Sequence, residues 1–365
     1  MVNVLVTGGA GYVGSHTCKA LAAAGFKPVV VDDLSTGHAR AVRWGPLERL
    51  DLADGDGLRR IIGRHGIQAV LHFAASAYVG ESMARPGKYF RNNVANSLSL
   101  VEAMVECGVR RVVFSSSCAT YGLPVTLPIA EDHPQAPINP YGETKRVCER
   151  MLHWFGLDHV CLRYFNAAGA DPDGEIGENH EPETHLLPLA IRAALGGPPL
   201  RVMGTDYPTP DGTAVRDYIH VADLADAHVR ALVHLLDGGE PACLNLGTGQ
   251  GHSVREVVAA VERRLGRTVP VEQAPRRPGD PPVLVADARR AADLLGWRAR
   301  RGLDEMVEDA AGWALNPRRL AQHAGDLVLE RRRQHRLGQE GADVQVLGAA
   351  DGGGVGVGGQ HDHRG

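Results

Sequence analysis

A doubly wound α/β fold with a smaller C-terminal lobe follows from three observations. Short, nearly continuous apolar runs rich in Val alternate with amphipathic stretches, as in a parallel sheet buried on both faces. Several of those stretches close on a glycine, which marks helix ends. After about Asn166 the texture changes to long segments rich in Gly, Pro and acid, too long for simple connections and suited to binding loops.

In chain order, "VNVLVTGG" reads as the first strand and "HTCKALAAAG" as the helix after it. "KPVVVDD" is a second strand, and "RLDLAD" puts Asp51 at the end of a third. "QAVLHFAA", "RRVVFSSS" and "HVCLRYFNA" are further buried strands, with "SLSLVEAMVECG" and "TKRVCERMLHWFG" as the helices between them. "AGADPDGEIGENHEPETH", "YPTPDGTAVRD" and "EQAPRRPGDPPVLVADA" are irregular and belong to the smaller lobe. "YIHVADLADAHVRALVHLL" and "CLNLGTG" are expected to rejoin the main sheet. The expected division is 1–166 for the sheet domain with about 217–250 returning to it, 167–316 mainly for the lobe, and a disordered Arg- then Gly-rich tail over 331–365.

Bulk composition narrows the function classes. Apolar residues are 44 % and charged residues 22 %, ordinary for a globular chain, and a net charge of −4 gives no basic field for nucleic acid. The six cysteines form no C-x-x-C pair, so neither a zinc site nor a disulfide framework is indicated. "HDHRG" near the C-terminus is weak evidence for a metal, and none is expected. The opening "MVNVLVTGG" enters a strand at once, leaving no room for a signal peptide. No apolar run reaches spanning length, so the expectation is a cytoplasmic protein with no membrane partner.

Two motifs carry chemistry. "TGGAGYVGSH" follows the first strand and opens a helix, with Gly8, Gly11 and Gly14 spaced for a tight turn that brings backbone close to a pyrophosphate at a helix N-terminus. Asp32 ends the second strand eighteen residues beyond Gly14, where a carboxylate holds a ribose diol and repels a 2′-phosphate; NAD is therefore expected over NADP, in a Rossmann-type domain. "RRVVFSSS" ends a strand at Ser117, and "YGETK" opens a helix 24 residues later. Tyr141 and Lys145 share one helix face. A tyrosine titrates near 10, but an ammonium and an oxidised nicotinamide beside it would favour the phenolate, a base for a sugar hydroxyl, with Ser117 bridging to substrate.

These residues resemble the extended short-chain dehydrogenase/reductases, and more specifically their UDP-glucose (UDP-galactose) 4-epimerase branch. The resemblance runs from about residue 2 to 316 through "TGGAGYVGSHT", "FRNNV", "FSSSCATYG", "NPYGETK", "LRYFNAAGA", "DYPTPDGTAVRDYIHVADLADAHV" and "APRRPGDPP". The glycine loop and Y-x-x-x-K mark the superfamily; "DYPTPDGT…RDYIHV" with "RRPGD" marks the epimerases. By position, the resemblance implies that Tyr12 and Val13 border the pyrophosphate. Asp32, Asp33, Leu34, Ser35, Thr36 and Gly37 form the adenosine-ribose loop. Asp51 and Leu52 meet adenine, and Phe73, Ala74, Ala75 and Ala77 pass the cofactor. Asn92, Tyr141, Lys145 and Phe165 complete the NAD contacts. Ser117, Tyr141 and Asn166 surround hexose and phosphate, while His185, Leu186, Arg201, Val202, Met203, Arg216, Arg277 and Asp280 clasp UDP. The guanidinium groups of Arg216 and Arg277, in two long loops, independently suit a diphosphate. The implied reaction oxidises C4 transiently, turns the 4-keto sugar and reduces its other face, in a homodimer.

Three positions depart from the family pattern. Ala77 replaces a lysine that meets NAD in some members, His185 replaces an asparagine beside substrate, and Leu284 stands where a bulky tyrosine narrows some hexose pockets. The last implies tolerance of UDP-N-acetylhexosamine, and "SSSCATYG" keeps UDP-pentoses open as substrates. A 4,6-dehydratase needs acids after the catalytic serine, where this chain has Cys118 and Ala119. A UDP-glucuronate decarboxylase needs a basic set for a C6 carboxylate, and none is evident. A silent NAD-binding regulator would break the Ser–Tyr–Lys set, which is intact here.

Overall fold

The computed structural model describes residues 1–277 and 280–316; the expected tail lies outside the described residues. The strands are β1 (Asn3–Thr7), β2 (Lys27–Asp32), β3 (Leu47–Arg49), β4 (Ala69–His72), β5 (Arg111–Ser117) and β6 (Asp158–Tyr164), then β7 (Asn166–Ala168), β8 (Leu200–Met203), β9 (Val215–His220), β10 (Ala242–Leu246), β11 (Gly251–Ser253), β12 (Val271–Ala274) and β13 (Val283–Leu284). Seven of them form one parallel sheet in the order β10-β6-β5-β4-β1-β2-β3. The chain leaves β1 toward β2 and β3 on one side and returns to β4, β5 and β6 on the other. That reversal opens a crevice at the strand C-termini, where such sheets bind ligands.

The helices are α1 (Tyr12–Ala23), α2 (Gly55–His65), α3 (Val79–Ala84), α4 (Pro86–Tyr89), α5 (Asn96–Glu106) and α6 (Pro140–Trp154) in the first half. The second half adds α7 (Leu186–Ala194), α8 (Val221–Leu236), α9 (Val254–Leu265), α10 (Arg289–Leu295) and α11 (Leu303–Leu315). Because strand side chains alternate, β1 sends Val4 and Val6 into one apolar layer with α1 and α8, and Leu5 into the opposite layer with α2, α5 and α6. Each such side chain, fully buried, contributes ~1.5–3 kcal/mol. The glycine-closed helices are present: Gly25, Gly108 and Gly156 take φ of 83°, 73° and 60° just past α1, α5 and α6.

Two local readings differ from the sequence-based expectation. The third strand is only three residues long, and Asp51 sits two residues past its end. Tyr218 to His220 do not join the main sheet: β9 pairs with β7, β11 and β13 in a second sheet, while α8 and β10 return to the first. A third cluster, from α7, β8, β9, α9 and α11, forms the core beneath the long loops.

Candidate active site

The turn after β1 is built for close approach. Gly8 has φ of 71°, and a Cβ there would lie 2.6 Å from the Ala74 nitrogen. A Cβ on Gly14 would lie 2.3 Å from the Gly8 carbonyl oxygen, so no other residue fits without moving the turn. Gly11 is the N-cap of α1 and brings no side chain to cover the free N–H groups, leaving a helix N-terminus of the kind that suits an anion. Asp32, buried at the end of β2, accepts from the Ala10 nitrogen at 3.0 Å and the Leu34 nitrogen at 2.9 Å. Burial pushes its carboxyl up, against those two hydrogen bonds. Each oxygen keeps a free lone pair for a hydroxyl, and the uncovered helix terminus and Cβ-free cradle fit a dinucleotide.

The rest of the expected cofactor rim is ordered around this turn. Asp33 accepts from the Ser35 nitrogen (2.8 Å) and hydroxyl (2.7 Å), shaping Leu34 to Gly37. Asp51 is exposed and accepts from Asn96, with Leu52 buried beside it. Phe73 leans on the His228 ring at 4.7 Å; Ala74 and Ala75 are half-buried and Ala77 is exposed. Asn92 donates to Ser76 at 3.2 Å. Val13 packs on the sheet, and Tyr12 is committed elsewhere: its hydroxyl donates to the Gly169 carbonyl at 2.6 Å, tying the glycine turn to the long loop after β7.

Helix α6 presents the expected Tyr–Lys pair. Asn139 caps it by accepting from the Gly142 nitrogen at 2.8 Å, and Pro140 fills the first turn, where its missing N–H costs nothing. Tyr141, Thr144, Lys145, Cys148, Glu149 and Leu152 then recur on the buried face. Lys145 donates to the Ser115 carbonyl at 2.7 Å, its nitrogen 5.9 Å from the centre of the Tyr141 ring. Burial lowers its pKa to about 8. Burial raises the Tyr141 phenol above its ordinary value, opposed by a hydrogen bond with Ser117. Burial thus favours the neutral phenol where no oxidised nicotinamide lies beside it. The 3-10 turn after Ser117 carries Cys118, whose thiol burial pushes up to about 12. No acid follows the serine.

The residues expected to meet the sugar nucleotide are spread over the second sheet, the separate β8–β12 pair and the intervening loops. Asn166 pairs with Tyr218 in the β7–β9 register, and Phe165 packs with Tyr121, Ile129 and Leu284. Arg216, mostly buried on β9, binds Asp280 at 2.7 Å and its own neighbour's carbonyl at 2.8 Å. Leu284 stands opposite Arg216 in the β13–β9 pairing. Arg201, Val202 and Met203 lie on β8, with only Val202 buried. Arg277 is exposed; it is Arg276 that stacks on Tyr207 (4.4 Å) and binds Asp206 (2.7 Å). His185 caps α7, half-exposed and bonded to Glu178, with Leu186 following.

Two groups escape the sequence reading. Asn93, beside Asn92 in a π-helical segment before α5, is buried; it accepts from the Ser76 nitrogen (2.8 Å) and donates to the Ser76 carbonyl and Thr144 hydroxyl (both 3.0 Å). It thereby fixes α6 to the loop after β4. Glu149 and Arg163 form a buried bidentate pair at 2.7 and 2.9 Å, joined by Ser116 (2.5 Å), Gln135 and Tyr121. Paired polar residues inside apolar elements were the available signal for both.

Among known proteins, residues 4–247 match the family described as NAD dependent epimerase/dehydratase. The chain is 54 % identical over 316 residues to a UDP-glucose 4-epimerase of Rhizobium meliloti, covering 85 % of this chain and 96 % of that one. A solved UDP-glucose 4-epimerase from Brucella ovis in complex with NAD superposes with TM-score 0.83 at 54 % identity, over 85 % of this chain and 98 % of that one. A Stenotrophomonas maltophila UDP-glucose-4-epimerase with bound NAD and formylated UDP-arabinopyranose does so with TM-score 0.84 at 43 % identity, over 88 % and 100 %.

Proposed function

The chain belongs to the NAD-dependent epimerase/dehydratase family, and from that premise we propose that Ser117, Tyr141 and Lys145 are the acid–base centre with which it interconverts UDP-glucose and UDP-galactose. It is an NAD-dependent isomerase, and its cofactor is NAD. The observation that carries the residue assignment is the convergence, at the carboxyl ends of the parallel strands, of a buried Tyr–Lys pair, a strand-end serine and the Cβ-free turn.

Bound NAD supplies a reversible two-electron acceptor for sugar C4. Tyr141 takes the proton of the 4-hydroxyl and returns one to the 4-keto sugar once its opposite face is presented, so atoms and charge balance over the cycle. Ser117 holds the reacting oxygen near the phenol. Lys145, fixed by the Ser115 carbonyl, favours the phenolate electrostatically. The cofactor sits along Gly8 to Gly14, Asp32 to Gly37, Asp51, Leu52, Phe73 to Ala75, Asn92 and Phe165. Arg216, kept in place by Asp280, and Arg277 bind the diphosphate, with Asn166, His185, Leu186 and Arg201 to Met203 alongside. A firm hold on UDP and a loose one on the hexose lets the keto sugar turn.

Leu284, opposite Arg216, supports a second reading in which the pocket also accepts UDP-N-acetylhexosamines or UDP-pentoses. No helix among the described residues is long and apolar enough to cross a membrane. We assign the protein to the cytoplasm as a homodimer that pairs through α5 and α6. Purified protein incubated with UDP-galactose, UDP-GalNAc and UDP-xylose, without added cofactor, tests the function. UDP-glucose must form from UDP-galactose; no product, or a 4-keto-6-deoxy sugar, overturns it.

A further inference from the structure

The loop between β7 and α7 carries a group of four side chains of which the proposed epimerase chemistry uses only His185, alongside the diphosphate. Its sequence "ENHEPETH" repeats Glu-x-His, at Glu178/His180 and Glu183/His185. One donor atom from each of the four lies within 4.8 Å of every other. A tetrahedral zinc shell with ~2.0–2.2 Å bonds places its donors ~3.4 Å apart, so modest side-chain rotations close the set. Glu178 is buried, and both imidazole Nδ1 atoms face its Oε1: His185 within bonding distance and His180 at 3.1 Å. His180 Nδ1 is itself sealed from solvent and makes no aligned hydrogen bond, although it stands at ion-pair distance.

Other side chains pack around this group. The Trp313 indole donates to the Glu178 carbonyl at 3.1 Å, and Gly177 packs beneath the same ring. The Tyr12 and Tyr78 rings stand edge-on to His180 at 6.3 and 6.1 Å, and Asn179 and His38 are bonded to each other. A second acidic group on the same loop differs. Asp171, Asp173 and Glu175 already hold a cation, the Lys19 ammonium, at 2.8, 2.7 and 2.9 Å. No lysine or arginine occupies the His–Glu group in the same way among the described contacts. Two imidazoles with two carboxylates suit zinc-class ions rather than calcium or magnesium, which take oxygen alone.

We propose that Glu178, His180, Glu183 and His185 bind one divalent transition-metal ion of the zinc class, which closes the stretch before α7 on itself. All four donors come from one eight-residue stretch, so little chain entropy is lost in closing the chelate. The test uses full-length protein without an affinity tag, carrying His361→Ala and His363→Ala to remove the terminal histidines. Co2+ is titrated into it and the d–d absorption recorded; Zn2+ is then added and Tm measured. One equivalent of Co2+ should give an intense four-coordinate spectrum that Zn2+ displaces, and Zn2+ should raise Tm. His180→Ala and Glu183→Gln should each weaken binding by at least about tenfold, since loss of even an outer partner of a metal ligand costs 10–100-fold. Absence of a stoichiometric Co2+ spectrum, or one unchanged in both variants, overturns the proposal. Should the alanine variant fold poorly, Glu183→Gln alone decides, because it keeps the shape and hydrogen-bonding capacity of the side chain.

Discussion

Replacing Lys145 by Met isolates the electrostatic part of the proposed acid–base centre. The ammonium lies 5.9 Å from the centre of the Tyr141 ring. At an effective dielectric constant of about 20, a unit charge at that distance stabilises the phenolate by about 3 kcal/mol, or roughly two pKa units. Loss of the charge moves the titration of Tyr141 upward by that amount, so turnover at neutral pH falls by up to about 10²-fold and recovers as pH rises. Methionine fills the stem's volume and removes a buried charge, while the Ser115 carbonyl loses its donor, a cost of about 1–3 kcal/mol. The folded lysine titrates near 8 against its ordinary 10.5. Between those values the unfolded chain holds the extra proton, so wild-type stability rises with pH there, a rise the variant lacks. The assay is conversion of UDP-galactose followed across pH, with bound NAD quantified at each point. A loss of the same size at every pH, or one that tracks cofactor content alone, refutes the electrostatic role.

Tyr141→Phe should lose about 10²–10⁴-fold in turnover, the range for a missing acid–base group, while keeping its NAD; a fully active variant removes Tyr141 from the reaction. Arg163→Met strands the Glu149 carboxylate in the interior, and breaking a buried pair from one side costs about 3–5 kcal/mol. Urea unfolding should report that loss, and a change below about 1 kcal/mol would mean that the pair is hydrated or dispensable.

Much of the sheet was legible because β1, β2 and β5 carry valine-rich runs, whereas β3 is a bare Leu-Glu-Arg with no such signal. The glycine turn was readable because sterics at Gly8 and Gly14 admit no other residue. The second sheet was harder. β9 is buried from Asp217 to His220 like a core strand although Arg216, Asp217 and His220 break its apolar pattern, and its partners β11 and β13 are three and two residues long and carry no strand pattern of their own. Tyr141 and Lys145 were visible as a spacing, but the burial that raises one and lowers the other depends on strands and loops distant in sequence. Asn93 was hidden beside Asn92, because a π-helical turn decides which of the two faces the interior. Arg277 and Arg276 show the same limit, since only the fold tells which guanidinium is stacked on Tyr207.

The central claim is that hydrogen leaves and re-enters sugar C4 without escaping the protein. UDP-galactose deuterated at C4, converted in ordinary water, tests this most directly. The account predicts UDP-glucose that retains the deuterium at C4, with no net NADH accumulating. Washout of the label to solvent, or reduced cofactor formed in step with product, would contradict it.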